Sequence, residues 1–277
     1  MAFWRSLACL ALLVSNATAT AGPEYPIKVH VVVRTYSGQA TLLVGCLASL
    51  YAAAQQAPGV QISVAVLDTG DSGHDVVAAV VNAAAAALQV GWSGSLLPSL
   101  ILRPLMEESK ETYGYLASDA EIDLVLGRGH AGSRVGAFQR AEARPHYVLL
   151  CNGDTLYALE LFSASIAAMT KKYGIIALPW VPTERHRGPH FVKKCEFIHG
   201  GVDLNGLFFS TDALSLAGAA FRNLPTPCAG GALSVAGCRA TDARPYWVAD
   251  WGLVYQILKS GRANATCLVC RPLFLQN

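Results

Sequence analysis

Three aspartates stand beside apolar segments, in positions where a carboxylate could act on a ligand. Asp68 follows the run VAVL, Asp154 follows HYVLLCNG, and Asp250 precedes WGLVYQIL. An ionised carboxylate can hold a metal ion, accept hydrogen bonds from a ligand, or remove a proton from a hydroxyl group. These side chains could act together only if the elements that carry them meet in the folded chain.

Apolar patterning predicts strands that alternate with helices. Strands are predicted at 27–36, 60–70, 99–105, 146–157 and 175–181, and helices at 40–57, 75–88, 158–174 and 250–261, with a strand and a short helix within 206–218. The polar stretch 106–134 is predicted to be a loop or an irregular helix. This alternation predicts an α/β fold with a mostly parallel sheet flanked by helices, in a single domain over 22–277. Ligand sites in such sheets lie at the carboxyl ends of the strands.

Composition and charge exclude several classes of protein. Only 14% of the 277 residues are charged, the net charge is +2, and no long basic stripe occurs, so nucleic acid is not a predicted partner. The hydrophobic content of 53% is high, and much of the excess is alanine, as in NAAAAALQV, which favours helix packing over a membrane. After the first 21 residues we expect no stable membrane span, since a span needs about 20 apolar residues.

The amino-terminal segment predicts entry into the secretory pathway. In residues 1–21, Arg5 precedes the short apolar run Leu7–Val14, and small residues follow up to Ala19 and Ala21. This order is typical of a cleaved signal peptide, with a short signal anchor as the alternative. We therefore expect the chain in the lumen of the Golgi or the endoplasmic reticulum, or outside the cell.

Cysteine usage and a glycosylation sequon agree with that compartment. Cys228 and Cys238 bracket a Gly- and Ala-rich segment and are predicted to form a disulfide. Cys267 and Cys270 could form a tight bridge, pair elsewhere, or contribute to a zinc site. Asn264-Ala265-Thr266 is a sequon for N-linked glycosylation.

Two protease signatures overlap around Asp68 without the partners that they need. Asp68-Thr69-Gly70 would require a second such tripeptide in an aspartic protease, and none occurs. The sequence 70–73, Gly-Asp-Ser-Gly, would require a histidine base and an orienting aspartate well upstream, but only His30 precedes it after the leader. Both matches are therefore attributed to chance.

Five short motifs occur in an order that resembles the GT-A glycosyltransferases, particularly the family-2-like inverting enzymes. They are RTY at the end of the first strand, VLDTGDS at the end of the second, CNGDTLY, GGVDLNGLFF and VADWGLVYQILKSG. The resemblance extends over about residues 27–260. It implies a GT-A-like (Rossmann-like) fold, a nucleotide-sugar donor such as a UDP-sugar, a glycan or protein acceptor, and Mn²⁺ or Mg²⁺ as cofactor.

The resemblance, together with the match of arginine to phosphate groups, assigns roles to individual residues. The predicted nucleotide-sugar contacts are Thr35, Tyr36, Asp68, Asp71, Asn152, Asp154, Arg185 and Arg187. Asp154 is also the predicted metal ligand, and Asp250 the base that deprotonates the acceptor hydroxyl. Each role has a structural alternative. Asp68 and Asp154 could serve turns, Asp250 could cap its helix, and the arginines could lie in a solvated loop.

Two positions depart from the pattern of that family. Asn152 stands where the metal motif has its first acidic residue, so metal binding is expected to be weaker or replaced by cationic side chains. Ala249 stands where a second acidic residue usually precedes Asp250. These losses leave a catalytically silent GT-A-like nucleotide- or glycan-binding protein as the alternative function. A nucleotidyltransferase ranks third, because RTYSGQATL has one glycine and no lysine.

Overall fold

The computed structural model of the chain describes residues 26–70, 72–92, 98–103, 115–128, 145–182, 197, 203–223, 249–268 and 273–276. Several predictions fall outside these residues. They concern the leader at 1–21, the contacts Asp71, Arg185 and Arg187, and the cysteines Cys228, Cys238 and Cys270.

Ten strands in the described residues form two sheets. They are β1 (Ile27–Thr35), β2 (Val60–Asp68), β3 (Ser99–Arg103), β4 (Tyr147–Asn152), β5 (Leu156–Tyr157), β6 (Ile175–Ala177), β7 (Trp180–Pro182), β8 (Leu207–Ser210), β9 (Ala265–Cys267) and β10 (Phe274–Gln276). The central sheet has the order β3-β2-β1-β4-β8-β6-β9, and a small sheet has the order β5-β10-β7. The pairs β1–β2, β2–β3, β1–β4 and β6–β9 are parallel, whereas β8 is antiparallel to both β4 and β6. The predicted mostly parallel sheet is confirmed.

Helices cover both faces of the central sheet. In the described residues they are α1 (Ala40–Gln55), α2 (His74–Gly91), α3 (Tyr115–Leu126), α4 (Leu161–Thr170), α5 (Thr211–Ala217) and α6 (Ala249–Lys259). Side chains of α1, α2 and α4 share one buried apolar cluster with Val31 and Val33 of β1. Side chains of α3, α5 and α6 share a second cluster with Val32. The alternation of β1 thus directs successive side chains to opposite helical layers.

Helix α3 was predicted only as loop or irregular helix, and its regularity corrects that prediction. Its buried face carries Ser118, Asp119 and Glu121, so apolar periodicity does not reveal the helix. The buried polar groups have partners within the fold. Asp119, for example, accepts hydrogen bonds from the backbone N–H groups of Phe221 and Arg222 at 2.7 Å each. A helix that buries carboxylates against such donors cannot be detected from hydrophobic periodicity.

A buried polar network joins α3 to the centre of the sheet. His30 Nε2 lies 3.0 Å from Glu121 Oε1, and His30 Nδ1 lies 2.7 Å from Ser63 Oγ. Arg103 donates to both carboxylate oxygens of Glu121, at 2.7 and 3.0 Å. Because the guanidinium and the imidazole both meet the same carboxylate, this network fixes the position of α3 along β1.

Among the residues that the structure describes, two helical segments are long and apolar enough to cross a membrane by length and composition alone, Ser37–Gln55 and His74–Gly91. This differs from the expectation that no stretch after the leader would pass that test. Their alanines raise the hydropathy, while Leu43, Leu47 and Leu50 of α1 are fully buried in the core beside the sheet. Half of the residues of the first segment are buried inside the fold, as in core helices.

The described cysteines are in two chemical states. Cys46 and Cys151 are buried free thiols, whereas Cys267 is disulfide-bonded. The predicted pairing of Cys228 with Cys238 stays a prediction, since both lie outside the described residues.

Candidate functional site

The central sheet reverses its strand order between β1 and β4. From β1 the chain adds β2 and then β3 on one side, and β4 pairs with β1 on the other side. In open α/β sheets, ligands bind outside the carboxyl ends of the strands at such a reversal. We call the edge formed by the carboxyl ends of β1, β2 and β4 the carboxyl edge. Arg34 pairs in register with Asn152 there, and Thr35 pairs with Asp68.

A buried arginine, Arg34, lies at this reversal of strand order. Arg34 Nη2 donates to Asn152 Oδ1 at 2.7 Å, and the guanidinium carbon lies 4.2 Å from the ring centroid of Tyr115 at the start of α3. The side chain of Arg34 is only 6% exposed. The backbone N–H of Asn152 donates to Asn205 Oδ1 at 2.6 Å, which ties β4 to the 3₁₀ turn Leu204–Gly206.

Asp154 lies in the turn that follows β4. Its Oδ2 accepts a hydrogen bond from Gln39 Nε2 at 2.9 Å, while its Oδ1 is buried and has no hydrogen-bond partner in the structure. Burial raises the pKa of Asp154 above its ordinary value, against the hydrogen bond from Gln39 and the charge of Arg34, which lower it. A Cβ at Gly153 would lie 2.7 Å from Thr35 Oγ1, so the close approach of this turn to β1 requires glycine.

Asp250 lies in the first turn of α6 and reaches the same region. Its Oδ1 accepts a hydrogen bond from the Tyr115 hydroxyl at 3.1 Å, and its Oδ2 accepts one from the Leu204 backbone N–H at 3.1 Å. Tyr115 therefore contacts both Arg34 and Asp250. Burial and the charge of Asp250 raise the pKa of Tyr115 to about 12. The phenol therefore stays neutral, and its O–H group donates a hydrogen bond to the carboxylate.

A second carboxylate beside Asp250 was not predicted from the sequence. Burial and then the negative charge of Asp250 raise the pKa of Asp203 to about 7, although the hydrogen bond from the Asn205 backbone N–H and the charge of Arg34 oppose this. The family pattern that the sequence resembles has two adjacent acidic residues at the head of this helix, and Ala249 replaces one of them. The motif GGVDLNGLFF contains Asp203 and was the only signal that could have identified it.

Asp68 is engaged on both of its carboxylate oxygens. Oδ1 accepts a hydrogen bond from the Gly70 backbone N–H at 3.1 Å, which forms an Asx-turn, and Oδ2 lies 2.7 Å from His74 Nδ1. The turn also bonds to β1, because the backbone N–H and the hydroxyl of Thr69 donate to the Thr35 carbonyl at 2.7 and 3.0 Å. Asp68 therefore serves a turn, which is the alternative role expected from the sequence. The contact of Asp68 with a nucleotide stays a prediction.

The predicted residues therefore fall into three groups. Thr35, Asn152, Asp154 and Asp250 belong to one cluster around Arg34. Asp68 ends β2 and Tyr36 follows β1 at the neighbouring part of the carboxyl edge, where the Tyr36 side chain is 47% exposed. Asp71, Arg185 and Arg187 lie outside the described residues.

The donor groups that the structure describes at this cluster do not fit a divalent ion. Asp154 offers one carboxylate oxygen, Oδ1, and the Asn152 oxygen already accepts from a cationic side chain. Mg²⁺ and Mn²⁺ prefer oxygen ligands with negative charge, and a guanidinium at the same point repels them. No group of three His, Cys, Asp or Glu residues placed to hold a metal occurs among the residues that the structure describes.

A cavity of about 810 Å³ lies at the opposite, amino-terminal edge of the sheet. Its lining includes His146, Asp212, Leu216 and Arg262. The buried polar atoms without partners around Arg34 and Asp154 are at the carboxyl edge instead. The candidate site is therefore assigned to the carboxyl edge.

Comparison with known proteins supports the fold. No protein-family model matches the chain, and no curated protein sequence matches it significantly. Among solved structures, TarS 1–349 of S. aureus has a TM-score of 0.52 at 12% identity, over 91% of this chain and 60% of that chain. Its complex with UDP has a TM-score of 0.51 at 12% identity, over 90% and 60%. The mannosyltransferase PcManGT of Pyrobaculum calidifontis, solved with GDP-Man and Mn²⁺, has a TM-score of 0.45 at 14% identity, over 96% and 63%.

The likeness to the two TarS structures confirms the predicted GT-A-like, Rossmann-like fold. The chain spans only about 60% of the length of the TarS structures that it matches. Activity and ligands therefore have to be argued from the residues of this chain.

Proposed function

We propose that the chain is a glycosyltransferase that transfers a sugar from a UDP-sugar to a hydroxyl group of a glycan or protein acceptor, with inversion at the anomeric carbon. The observation that carries this proposal is the convergence of Arg34, Asp154 and Asp250 at the strand reversal of a GT-A-like sheet. A cation for a diphosphate and a carboxylate for an acceptor hydroxyl are the two groups that this chemistry needs.

The proposed reaction is a single displacement. The acceptor oxygen forms a bond to the anomeric carbon while the bond from that carbon to the diphosphate oxygen breaks, and its electron pair leaves with UDP. The acceptor proton passes to the ionised carboxylate of Asp250. The products are the glycoside and UDP, whose diphosphate gains the negative charge that the site has to stabilise.

The environment of Asp250 supports the role of base. Neither described hydrogen bond to its carboxylate comes from a charged donor, since the Tyr115 hydroxyl and the Leu204 N–H are both neutral. Burial and the negative charge of Asp250 raise the pKa of Asp203 to about 7, because two nearby carboxylates resist simultaneous ionisation. The proposed base therefore lies beside a carboxyl group whose charge changes near neutral pH.

Exposed Tyr36 is proposed to contact the nucleoside. It follows β1 directly, next to the Asx-turn of Asp68, and a Cβ at Gly38 would lie 2.5 Å from its ring, so the ring lies over a residue without a side chain. An aromatic ring that is exposed to solvent and packed against Gly38 suits stacking on a nucleotide base.

A divalent ion belongs to this proposal only as the prediction made from the sequence, with Asp154 as its ligand. The described donor groups do not supply the charge that such an ion needs. Titration of the metal-free protein with MnCl₂, followed by calorimetry, tests this prediction directly. Heat of binding at a site that Asp154→Asn abolishes would support it.

Nucleotide binding is the first measurement that tests the proposed function. Calorimetry with UDP is expected to give a dissociation constant in the range of about 1 μM to 1 mM, and weaker binding of GDP and ADP. Tyr36→Ala is expected to weaken UDP binding about tenfold through the lost stacking. Leu216→Ala is the matched control, since this apolar side chain is 54% exposed at the opposite edge of the sheet.

Outcomes of that experiment separate the candidate functions. Failure to bind any nucleoside diphosphate would contradict the proposal. UDP binding with no hydrolysis or transfer from a panel of UDP-sugars would favour the silent binding protein, for which the neutral Asn152 is the specific structural argument.

The location in the secretory pathway is proposed separately. It rests on the predicted leader at 1–21 and on the sequon, whose Asn264 side chain is exposed just before β9. Expressed with its leader in a eukaryotic secretory host, the protein is expected to carry an N-glycan that glycosidase treatment removes, with an increase in gel mobility. Asn264→Gln should abolish the difference. A chain that stays unmodified inside the cell would contradict this location.

A further inference from the structure

We propose that Arg34 provides the positive charge that the diphosphate of the donor requires, so that this chain binds its nucleotide without a divalent ion. This inference rests on the proposed function and identifies the group that neutralises the leaving diphosphate. It follows from three features of the carboxyl edge, namely the position of Arg34, the lack of a contact ion pair with it among the described residues, and the identity of residue 152.

The position of Arg34 is fixed by the strand and not by a flexible loop. It is the second-last residue of β1, hydrogen-bonded in register between β2 and β4. The alternation of β1 directs it to the layer of α3, where the Tyr115 ring covers the guanidinium at 4.2 Å. A charge held in this way does not have to reorganise when an anion arrives, which is the condition for effective electrostatic stabilisation.

The charge of Arg34 has no contact ion pair in the described part of the chain. Its side chain is 6% exposed, yet its hydrogen bond to the neighbouring strand end goes to the neutral amide oxygen of Asn152. The Nε atom is buried and has no hydrogen-bond partner. A buried charge without an ionic partner is costly, and arginines are rarely buried unless they are paired. Binding of an anion would remove that cost.

Residue 152 explains how the charge stays available. An aspartate in place of Asn152 would face the guanidinium at about the same 2.7 Å and neutralise it in a tight ion pair. The asparagine keeps the hydrogen bond that orients Arg34 and leaves the positive charge for a ligand. The neutral residue at 152 and the cationic residue at 34 therefore act together. Asn152 leaves the charge of Arg34 unneutralised, and this fixed guanidinium takes the place of a metal ion.

The neighbouring carboxylates limit where the diphosphate can lie. The charge of Arg34 opposes the raised pKa of Asp154 and of Asp203, and Tyr115 contacts both Arg34 and Asp250. None of these three carboxylates forms a contact ion pair with Arg34 among the described residues. A diphosphate that binds Arg34 is kept from these carboxylates by like-charge repulsion. The guanidinium offers planar, paired donors that match two phosphate oxygens.

The test measures UDP binding by calorimetry in a buffer with EDTA and in one with Mn²⁺. The wild-type protein is expected to bind UDP equally well in both. Arg34→Met should weaken binding at least about tenfold in both buffers, because it removes a charged hydrogen-bond donor, and Mn²⁺ should not restore it. Arg262→Met is the matched control, since Arg262 is exposed at the opposite edge of the sheet, and its affinity for UDP should equal that of the wild type.

Asn152→Asp provides a second variant that preserves the shape of the site. It should weaken metal-free binding of UDP at least about tenfold by pairing with Arg34, and it should create a dependence on Mn²⁺. UDP binding by the wild type only with Mn²⁺, or unchanged affinity in folded Arg34→Met, would overturn the inference and leave the proposed function intact. Failure of the wild type to bind UDP in either buffer would instead overturn the proposed function. The wild-type comparison decides between these results even if Arg34→Met does not fold.

Discussion

Asp250→Asn is expected to lower kcat for sugar transfer by about 10²- to 10⁴-fold, the usual contribution of a general base. Asparagine keeps the size of the side chain and its oxygen still accepts the hydrogen bond from Tyr115, but it cannot take a proton from the acceptor. UDP affinity should change by less than about twofold, because the carboxylate is proposed to act on the acceptor and not on the donor. Single-turnover transfer and UDP calorimetry on the same preparation measure both quantities.

The pH profile tests the same role independently. Burial and the charge of Asp250 raise the pKa of Asp203 to about 7, so Asp203 gains its negative charge beside the proposed base near that pH, and kcat/KM should rise with pH through it. Asp203→Asn removes this titrating group, so the rise of kcat/KM near pH 7 should disappear. Asp212→Asn, which changes an exposed aspartate at the opposite edge, should leave the profile unchanged. Full transfer activity in Asp250→Asn would exclude it as the base.

The fold could be predicted where one face of an element is uniformly apolar. Strands β1 and β2 are mostly buried and rich in β-branched residues, and α1 has a buried leucine stripe, so period and composition agree with the structure. Helix α3 could not be predicted in this way. It buries Asp119 and Glu121, and the partners that make this possible come from distant segments such as β1 and β3.

The site could be predicted where a strand end carries the functional group itself. Asn152 and Asp154 follow a clear apolar strand, which locates them at the carboxyl edge. The role of Arg34 depends on an amide 118 positions later and on a ring from α3, and neither contact follows from local sequence. The same holds for Asp203, since its raised pKa arises from burial and from the charge of Asp250, and both depend on the fold. Antiparallel β8 lies between β4 and β6, an orientation that a short apolar run does not specify.

Glu121→Gln is expected to lower the free energy of unfolding by about 3 kcal/mol, the typical cost of removing one partner from a buried ion pair. The carboxylate is 4% exposed and accepts hydrogen bonds from Arg103 on both oxygens, with His30 as its third partner. Glutamine can satisfy only part of these donors and leaves the charge of Arg103 without a counterion. Urea unfolding at pH 7, followed by circular dichroism, measures the difference. A loss below about 1 kcal/mol would contradict the importance of this network.

Asp123→Asn is the matched control on the same helix, because Asp123 pairs with Arg222 at the surface, where an ion pair contributes at most about 1 kcal/mol.

The pH dependence of stability follows from the pKa of Glu121. Burial raises that pKa, but the bonds from His30 and Arg103 together hold it below its ordinary value. A carboxyl group with a lowered folded-state pKa stabilises the fold above its unfolded-state pKa, and this contribution is lost as the pH falls through the folded-state value. The free energy of unfolding should therefore fall more steeply on acidification in the wild type than in Glu121→Gln. The two free energies should approach each other at low pH. Because His30 and Arg34 share one face of β1 and meet the same helix, the loosened α3 should also weaken the Tyr115 contacts that position Arg34.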